Sequence, residues 1–281
     1  MNMIGVVGAG VMGVDVAATF AFYGYNVILS DINHHVLENV PDVLSRNIKK
    51  YKIASPSLKK WDHNKIMSKI SLTEKYNGFE NAKWVIENIT ECLDDKHSVY
   101  HELAEICNEE TLFGANTSCI SITSLASNLI DPSKIIGMHF MNPVPLKNSV
   151  ETVRGFYTSE DTIIATRELL KSIGKHQILV NDSPGFVSNR ISHLFMNEAA
   201  ILVQENVASP KEIDAIFKQG YAHKMGPLET ADLIGLDTVA HSLDILYNSL
   251  GEQKFKCCTL IRKMVDANLL GVKTGKGFYQ Y

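Results

Sequence analysis

No stretch of the 281-residue chain stays apolar for the roughly 18–20 residues that a membrane-spanning helix needs, so a helical membrane anchor is not expected. Neither sign of charge dominates: 27 basic and 31 acidic residues leave a net charge of −4, without the basic excess that marks a nucleic-acid partner. Cysteine is sparse and odd in number, five residues at Cys92, Cys107, Cys119, Cys257 and Cys258. Their spacing fits no metal site and no disulfide framework, so reduced thiols in a cytoplasmic protein are expected. The first residues carry neither a basic flank nor a small-residue cleavage site, so no secretory signal is expected there. What remains, 45% hydrophobic and 21% charged, is the composition of an ordinary globular chain long enough for two domains.

The most informative stretch comes first. Met3 to Val7 is an apolar run of strand length, and it leads directly into Gly8-Ala9-Gly10-Val11-Met12-Gly13. Val16, Ala17, Phe20 and Ala21 then recur at helical spacing. In such a strand–turn–helix the first glycine allows the tight turn, the second allows close approach of a pyrophosphate, and the third allows helix and strand to pack closely. The phosphates would sit on the first-turn N–H groups of Val11, Met12 and Gly13, where the helix dipole favours an anion. A second apolar run, Asn26 to Ser30, ends at Asp31, whose carboxylate is expected to accept from the adenosine ribose 2′-hydroxyl and to repel a 2′-phosphate. No arginine follows it, so NAD is expected rather than NADP.

Further on, a helical and increasingly basic segment runs from Val36 to about Lys69, broken in two at Pro56. Its Arg46, Lys49, Lys50, Lys52, Lys59, Lys60, Lys65 and Lys69 suit either a solvated face or a landing surface for an anionic partner. Strands are expected at 82–87, 111–115 and 135–140, with a helix from Glu91 to Cys107 between the first two. Alternation of this kind predicts an α/β Rossmann-type domain, a mostly parallel sheet with helices on both faces. Ligands bind such sheets at the carboxyl ends of their strands, and Asn116, Ser118 and His139 fall there. Past His139 comes Asn142-Pro143-Val144-Pro145, then a short returning strand, 149–153, that carries Glu151. A histidine and a glutamate joined by a rigid double-proline turn are expected to pair as a base and the carboxylate that fixes its tautomer.

With those residues in view the sequence resembles the 3-hydroxyacyl-CoA dehydrogenase family, including its 3-hydroxybutyryl-CoA members. The blocks that carry the resemblance are Gly8 to Gly13, Asn116-Thr117-Ser118, Gly137 to Pro145, Asp182-Ser183-Pro184-Gly185-Phe186-Val187-Ser188-Asn189-Arg190, and Lys273-Thr274-Gly275-Lys276-Gly277-Phe278-Tyr279. They follow in family order over essentially the whole chain. The resemblance implies His139 as catalytic base and Glu151 as its partner, Ser118 and Asn189 as hydrogen-bonding residues around the reacting oxygen, and Asn142 in support. It places Glu91 and Lys96 beside the nicotinamide ribose and Lys273 as a cofactor-side lysine, and Asn116, at its strand end, is counted with the cofactor-binding residues. Oxidation of a C3 hydroxyl with transfer of hydride to NAD is the implied reaction.

One departure bears on the substrate. Family members acting on CoA esters usually carry Met-Lys-Leu-Val-Glu before the glutamate, where this chain has Lys147-Asn148-Ser149-Val150-Glu151. That variant resembles the branch found in polyketide extender-unit pathways, which implies a short hydroxyacyl group such as glyceryl on an acyl carrier protein. A 3-hydroxybutyryl-CoA dehydrogenase of short-chain fatty acid metabolism is the alternative, and a non-catalytic, crystallin-like dinucleotide-binding protein is the non-enzyme alternative. After Pro184 the pattern turns wholly helical, with helices expected at 186–204, from Ser209-Pro210, from Gly226-Pro227, and at 236–250. The long helix carries Ser188-Asn189-Arg190 where a β-hydroxyacid dehydrogenase of the 6-phosphogluconate type would show its catalytic lysine. The expected organisation is an NAD-binding domain over 1–183 and an all-α domain over 184–281 that binds substrate and forms a homodimer.

Overall fold

A computed structural model describes residues 3–127 and 129–281. The chain divides into two units, the first ending at Asp182 and the second opening at Ser183.

In the first unit β1 (Met3–Val7), α1 (Val11–Phe22) and β2 (Asn26–Ser30) form the opening βαβ crossover. There follow α2 (His34–Ala54), α3 (His63–Met67), β3 (Ile70–Thr73), β4 (Trp84–Glu87), α4 (Leu93–Ile106), β5 (Leu112–Ala115) and α5 (Ile122–Ala126). β6 (Ile135–His139), β7 (Ser149–Arg154), α6 (Glu160–Ser172) and β8 (His176–Asn181) complete it. The eight strands lie in the order β3-β2-β1-β4-β5-β6-β7-β8. Neighbours run parallel except β6 and β7, which the double-proline turn joins antiparallel. The connections change direction between β1 and β4, so a crevice opens at the carboxyl ends of those strands, the usual ligand position in such sheets.

The apolar strands and α1 explain this layering. α1 is buried from Gly13 to Ala21 without a break, as expected of a helix apolar on nearly every side and covered on more than one. Val16, Ala17 and Phe20 join Val6, Leu29, Leu44 and Trp61 in the core. Asp15 is the one charged side chain in that buried run.

Three elements differ from the sequence expectation. The basic segment does break at Pro56, but it continues as a 3-10 turn, Pro56–Lys60, then as the short α3, and ends in the unexpected strand β3. Strand β8 was not expected either: Ile178 and Leu179 are 53% and 40% exposed, so the strand lacks the burial contrast that makes periodicity visible. Helix α4 starts at Leu93, which leaves Glu91 in the preceding loop.

The second unit holds α7 (Ser188–Gln204), α8 (Pro210–Ala215), α9 (Pro227–Ile234), α10 (Leu236–Leu250) and α11 (Thr259–Asp266). The helices at Pro210, Pro227 and 236–250 start where expected, and α11 is an additional one. Ser209 and Glu212 cap α8 reciprocally, with the Ser209 N–H donating to Glu212 Oε2 at 2.8 Å. Met196, Leu228, Leu236, Leu243 and Ile261 fill the core. The Lys273–Tyr279 block has a structural explanation here. Buried Asp232 accepts from the N–H groups of Phe278 and Tyr279 at 3.0 and 2.9 Å, and a Cβ on Gly277 would stand 2.2 Å from its Oδ1. Only glycine allows the tail to lie against that carboxylate.

Candidate active site

The glycine loop has the geometry its spacing predicts. Gly8 has φ +89°, and a Cβ there would meet the Asn88 carbonyl oxygen at 2.8 Å. A Cβ on Gly13 would stand 1.7 Å from the Gly8 carbonyl oxygen, so no other residue fits that helix-to-turn contact. At Gly10 a Cβ would meet nothing within 4 Å, which leaves the approach to the helix N-terminus open. The first intrahelical bond runs from the Val14 N–H to the Gly10 carbonyl at 3.1 Å, so the N–H groups of residues 11–13 precede the ladder and face outward for an anion. Asp31 stands at the end of β2 with a structural duty as well: its Oδ2 accepts from the Ala9 N–H at 2.8 Å and its Oδ1 from the Asn33 N–H at 2.9 Å. A carboxylate has about four acceptor positions, so it holds the loop and keeps capacity for a ribose hydroxyl. Gly8, Gly10, Asp31, Ile32 and Tyr76 line a cavity of about 550 Å³, a size suited to an adenosine group. The residues present therefore fit NAD.

Further along the same edge three side chains stand in line. His139 closes β6 and pairs in register with Glu151 of β7, an arrangement that puts opposed side chains about 5 Å apart at Cβ. His139 Nδ1 lies 2.9 Å from Glu151 Oε2, and His139 Nε2 lies 3.2 Å from Ser118 Oγ. A carboxylate can only accept, so Nδ1 carries the hydrogen and donates to Glu151, and Nε2 keeps its lone pair on the Ser118 side. His139 is 9% exposed and Glu151 5%, which strengthens their interaction relative to water. Asn142 opens the turn and is exposed.

Beneath this line lies a second layer that the sequence reading only partly identified. Glu91 Oε1 accepts from Thr117 Oγ1 at 2.6 Å, from the Ser118 N–H at 2.8 Å and from the Cys119 N–H at 2.9 Å. Its carboxylate thus holds the loop that carries Ser118. Lys96 is fully buried, with Nζ 2.6 Å from Glu87 Oε1 and 3.4 Å from the Asn116 carbonyl oxygen. Burial pushes the Glu87 carboxyl up and Lys96 draws it down, with the net shift upward. Asn116 ties three strand ends together: its Nδ2 donates to Asn88 Oδ1 at 2.8 Å and its Oδ1 accepts from the Phe140 N–H at 3.1 Å.

Glu87 and Asn88 were missed as site residues. The available signal was their place, since polar residues closing the apolar run Trp84-Val85-Ile86 occupy the same strand-end position as Asn116 and His139. In the second unit Asn189 lies in the first turn of α7, its carbonyl accepting from His193 Nδ1 at 2.9 Å. Lys273 donates to both oxygens of Asp237, at 2.8 and 3.0 Å, and to Thr238 Oγ1 at 3.1 Å. Among the described residues no group of three or more His, Cys, Asp or Glu is placed to hold a metal, and no helix is long and apolar enough to cross a membrane.

Comparison with known proteins matches this chain to two family models. Residues 3–183 match the NAD binding domain of 3-hydroxyacyl-CoA dehydrogenase and residues 185–281 its C-terminal domain. A probable 3-hydroxybutyryl-CoA dehydrogenase of Bacillus subtilis is 40% identical, covering 100% of this chain and 98% of that protein. The 3-hydroxybutyryl-CoA dehydrogenase of Clostridioides difficile is also 40% identical, over 99% of each chain. Among solved structures the (S)-3-hydroxybutyryl-CoA dehydrogenase of Ralstonia eutropha superposes with a TM-score of 0.90 at 39% identity, covering 100% of this chain and 99% of the other.

Proposed function

The chain belongs to the 3-hydroxyacyl-CoA dehydrogenase family and is an NAD-dependent enzyme acting on a CH–OH group; from that premise we propose that its substrate is a short-chain 3-hydroxyacyl-CoA, 3-hydroxybutyryl-CoA being the representative. The observation that carries the proposal is the Ser118–His139–Glu151 line at the cofactor edge of the sheet. His139 Nε2 takes the proton of the C3 hydroxyl, and the Nδ1–H bond to Glu151 stabilises the imidazolium that results. Ser118 holds the reacting oxygen with Asn142 in support, and the family resemblance assigns Asn189 of the second unit to the same role. NAD supplies the hydride acceptor. Gly8, Gly10, Val11, Met12, Gly13 and Asp31 hold its adenosine and phosphates, with Asn116 and Glu91 assigned to its other end; the family resemblance counts Lys273 of the second unit as a cofactor-side lysine. Lys96 acts at one remove, through Glu87 and the Asn116 carbonyl.

One observation favours CoA over the carrier-protein substrate expected from the turn variant: relatives aligned over the whole chain are named for CoA thioesters. The exposed lysines of α2 and the turn after it, Lys49, Lys50, Lys59 and Lys60, suit the CoA phosphates. The test is the rate of NAD reduction with 3-hydroxybutyryl-CoA against a glyceryl or 3-hydroxybutyryl group on an acyl carrier protein. We expect kcat/KM to favour the CoA ester by about tenfold or more, a gap of ~1.4 kcal/mol, and preference for the carrier protein would overturn the proposal. Ile191, Ile216 and Leu233 of the helical unit are 63%, 57% and 56% exposed, which supports a homodimer through that unit. A monomeric mass by analytical ultracentrifugation would contradict it.

A further inference from the structure

We propose that Asp15 and Lys175 are positioning residues for the His139–Glu151 pair, a buried pair of opposite charges that fixes the double-proline turn to the helix whose first turn receives the cofactor phosphates. The inference rests on the catalytic assignment of His139 above. It starts from an oddity of α1: a carboxylate at 0% exposure in a helix whose other buried residues are almost all apolar. A charge in such a place persists only if it is paired and hydrogen-bonded.

Asp15 is both. Tyr51 Oη donates to its Oδ2 at 2.6 Å and Asn47 Nδ2 to its Oδ1 at 3.2 Å, both from α2. The Val144 N–H of the turn also faces Asp15 and favours its ionised form. Lys175, 5% exposed just ahead of β8, approaches the same turn from the other side. Its Nζ donates to the carbonyl oxygens of Val144 at 2.7 Å and Lys147 at 2.6 Å. Val144 therefore lies between the two charges, its C=O held by Lys175 and its N–H on the side of Asp15.

The turn so held spans the chain between His139 and Glu151, and the Asp15 end of the brace lies two residues past Gly13. One brace thus ties the cofactor helix to the connection between the base and its carboxylate. Displacements near 1 Å can cost a hundredfold in turnover, so this is where a small shift would be felt. The ordinary role, holding a turn for stability alone, would leave the pH profile of the reaction untouched.

Lys175 makes the two roles distinguishable. Burial draws its ammonium down to about 8, and Asp15 is the charge that holds it up. Tyr51 and Asn47 face Asp15 from α2, and the turn contributes backbone carbonyls and the Val144 N–H, the Lys147 side chain being exposed. Below its folded value Lys175 is charged and grips both carbonyls, and above it the grip weakens.

The experiment measures NAD reduction at saturating NAD and 3-hydroxybutyryl-CoA across the range from about pH 6 to about pH 10 for the wild type, Asp15→Asn and Lys175→Met. Wild-type turnover should fall along an alkaline limb near the Lys175 value of about 8. Asp15→Asn should move that limb to lower pH. Lys175→Met should lower turnover by about 10- to 100-fold, abolish the limb, and leave the KM for NAD within about twofold. An unmoved limb in Asp15→Asn, or full turnover in Lys175→Met, overturns the proposal. Should Lys175→Met fail to fold, Asp15→Asn carries the same test with Lys175 in place. A readout free of substrate separates this inference from the functional one: amide exchange over residues 142–148 near neutral pH should quicken in Asp15→Asn. Unchanged exchange there counts against the brace, whereas an inactive wild type with quickened exchange counts against the substrate assignment alone.

Discussion

Replacing His139 by alanine is expected to lower turnover by about 10²–10⁴-fold, the usual worth of a general base, with NADH binding preserved. The separation of the two effects follows from where the groups sit. The cofactor groups, Gly8 to Gly13 and Asp31, belong to the β1–α1 turn and the end of β2, whereas His139 ends β6, three strands from β1 in the sheet order. Its bonds run to Ser118 and Glu151. Losing the imidazole removes the proton acceptor and leaves the phosphate-binding turn intact. Glu151→Gln should cost less than His139→Ala, since it keeps a hydrogen-bond acceptor for Nδ1 but no longer supplies a negative charge beside the imidazolium. Steady-state kinetics with 3-hydroxybutyryl-CoA, together with NADH fluorescence titration, would check both. Near-normal turnover in His139→Ala would remove the histidine from the chemistry, and loss of NADH binding would show that it serves the fold instead.

The parts of this site that the sequence made legible are those whose partners lie close in the chain or whose backbone needs are local. Gly8, Gly10 and Gly13 declare a turn because each answers a steric demand within a few residues, and the 1.7 Å approach at Gly13 shows how strict that demand is. His139 and Glu151 were legible as a pair because a short turn with two prolines returns one strand beside the other. The supporting layer was harder to read. Lys96 and Glu87 lie only nine positions apart, but no turn motif or periodic pattern marks their meeting, and the contact of Glu91 with Ser118 crosses 27 positions. Asp15 stands alone as a charge in an apolar helix, and its partners on α2 and the turn come from sequence positions too far away to be read from the pattern. The carrier-protein expectation rested on the turn variant alone and finds no support among the relatives, which are named for CoA thioesters. Lys147 and Asn148 are exposed, and the bonds they make, from Lys175 Nζ and the His176 N–H to their carbonyls, are ones any residue there would make, so the structure assigns the variant side chains no role.

Lys96→Met should be among the most destabilising single substitutions in the chain, by about 3–5 kcal/mol, or on the order of 10 °C in the unfolding midpoint. Both side chains of the Glu87–Lys96 pair are at 0% exposure, so removing the cation leaves a buried carboxylate without a cation in contact among the described residues. The Ile89 N–H at 2.6 Å and Tyr100 Oη at 3.4 Å remain as donors, too few to replace an ammonium. The sign of the pH dependence follows. Burial already holds the Glu87 carboxyl above its ordinary value despite the opposing pull of Lys96, and loss of Lys96 raises it further. A carboxyl with a raised folded value favours the folded state below its unfolded value and loses that contribution as pH rises through the folded one. The deficit of Lys96→Met should therefore be smallest in mild acid, where Glu87 is protonated, and grow toward neutral and alkaline pH. Adding Glu87→Gln should recover a large part of it, because an amide in that pocket needs no counter-charge and keeps acceptor capacity for the Ile89 N–H. Denaturant unfolding of the two single variants and the double variant at two pH values closes the cycle. A deficit independent of pH, or additive single effects, would mean that Lys96 contributes through the packing of its stem and not as the counter-ion of Glu87. Turnover is the second consequence. The Asn116 carbonyl that Lys96 reaches belongs to the residue that bonds Asn88 and Phe140, and Phe140 follows His139, so loss of the ion pair should loosen the strand ends on which the catalytic line is built.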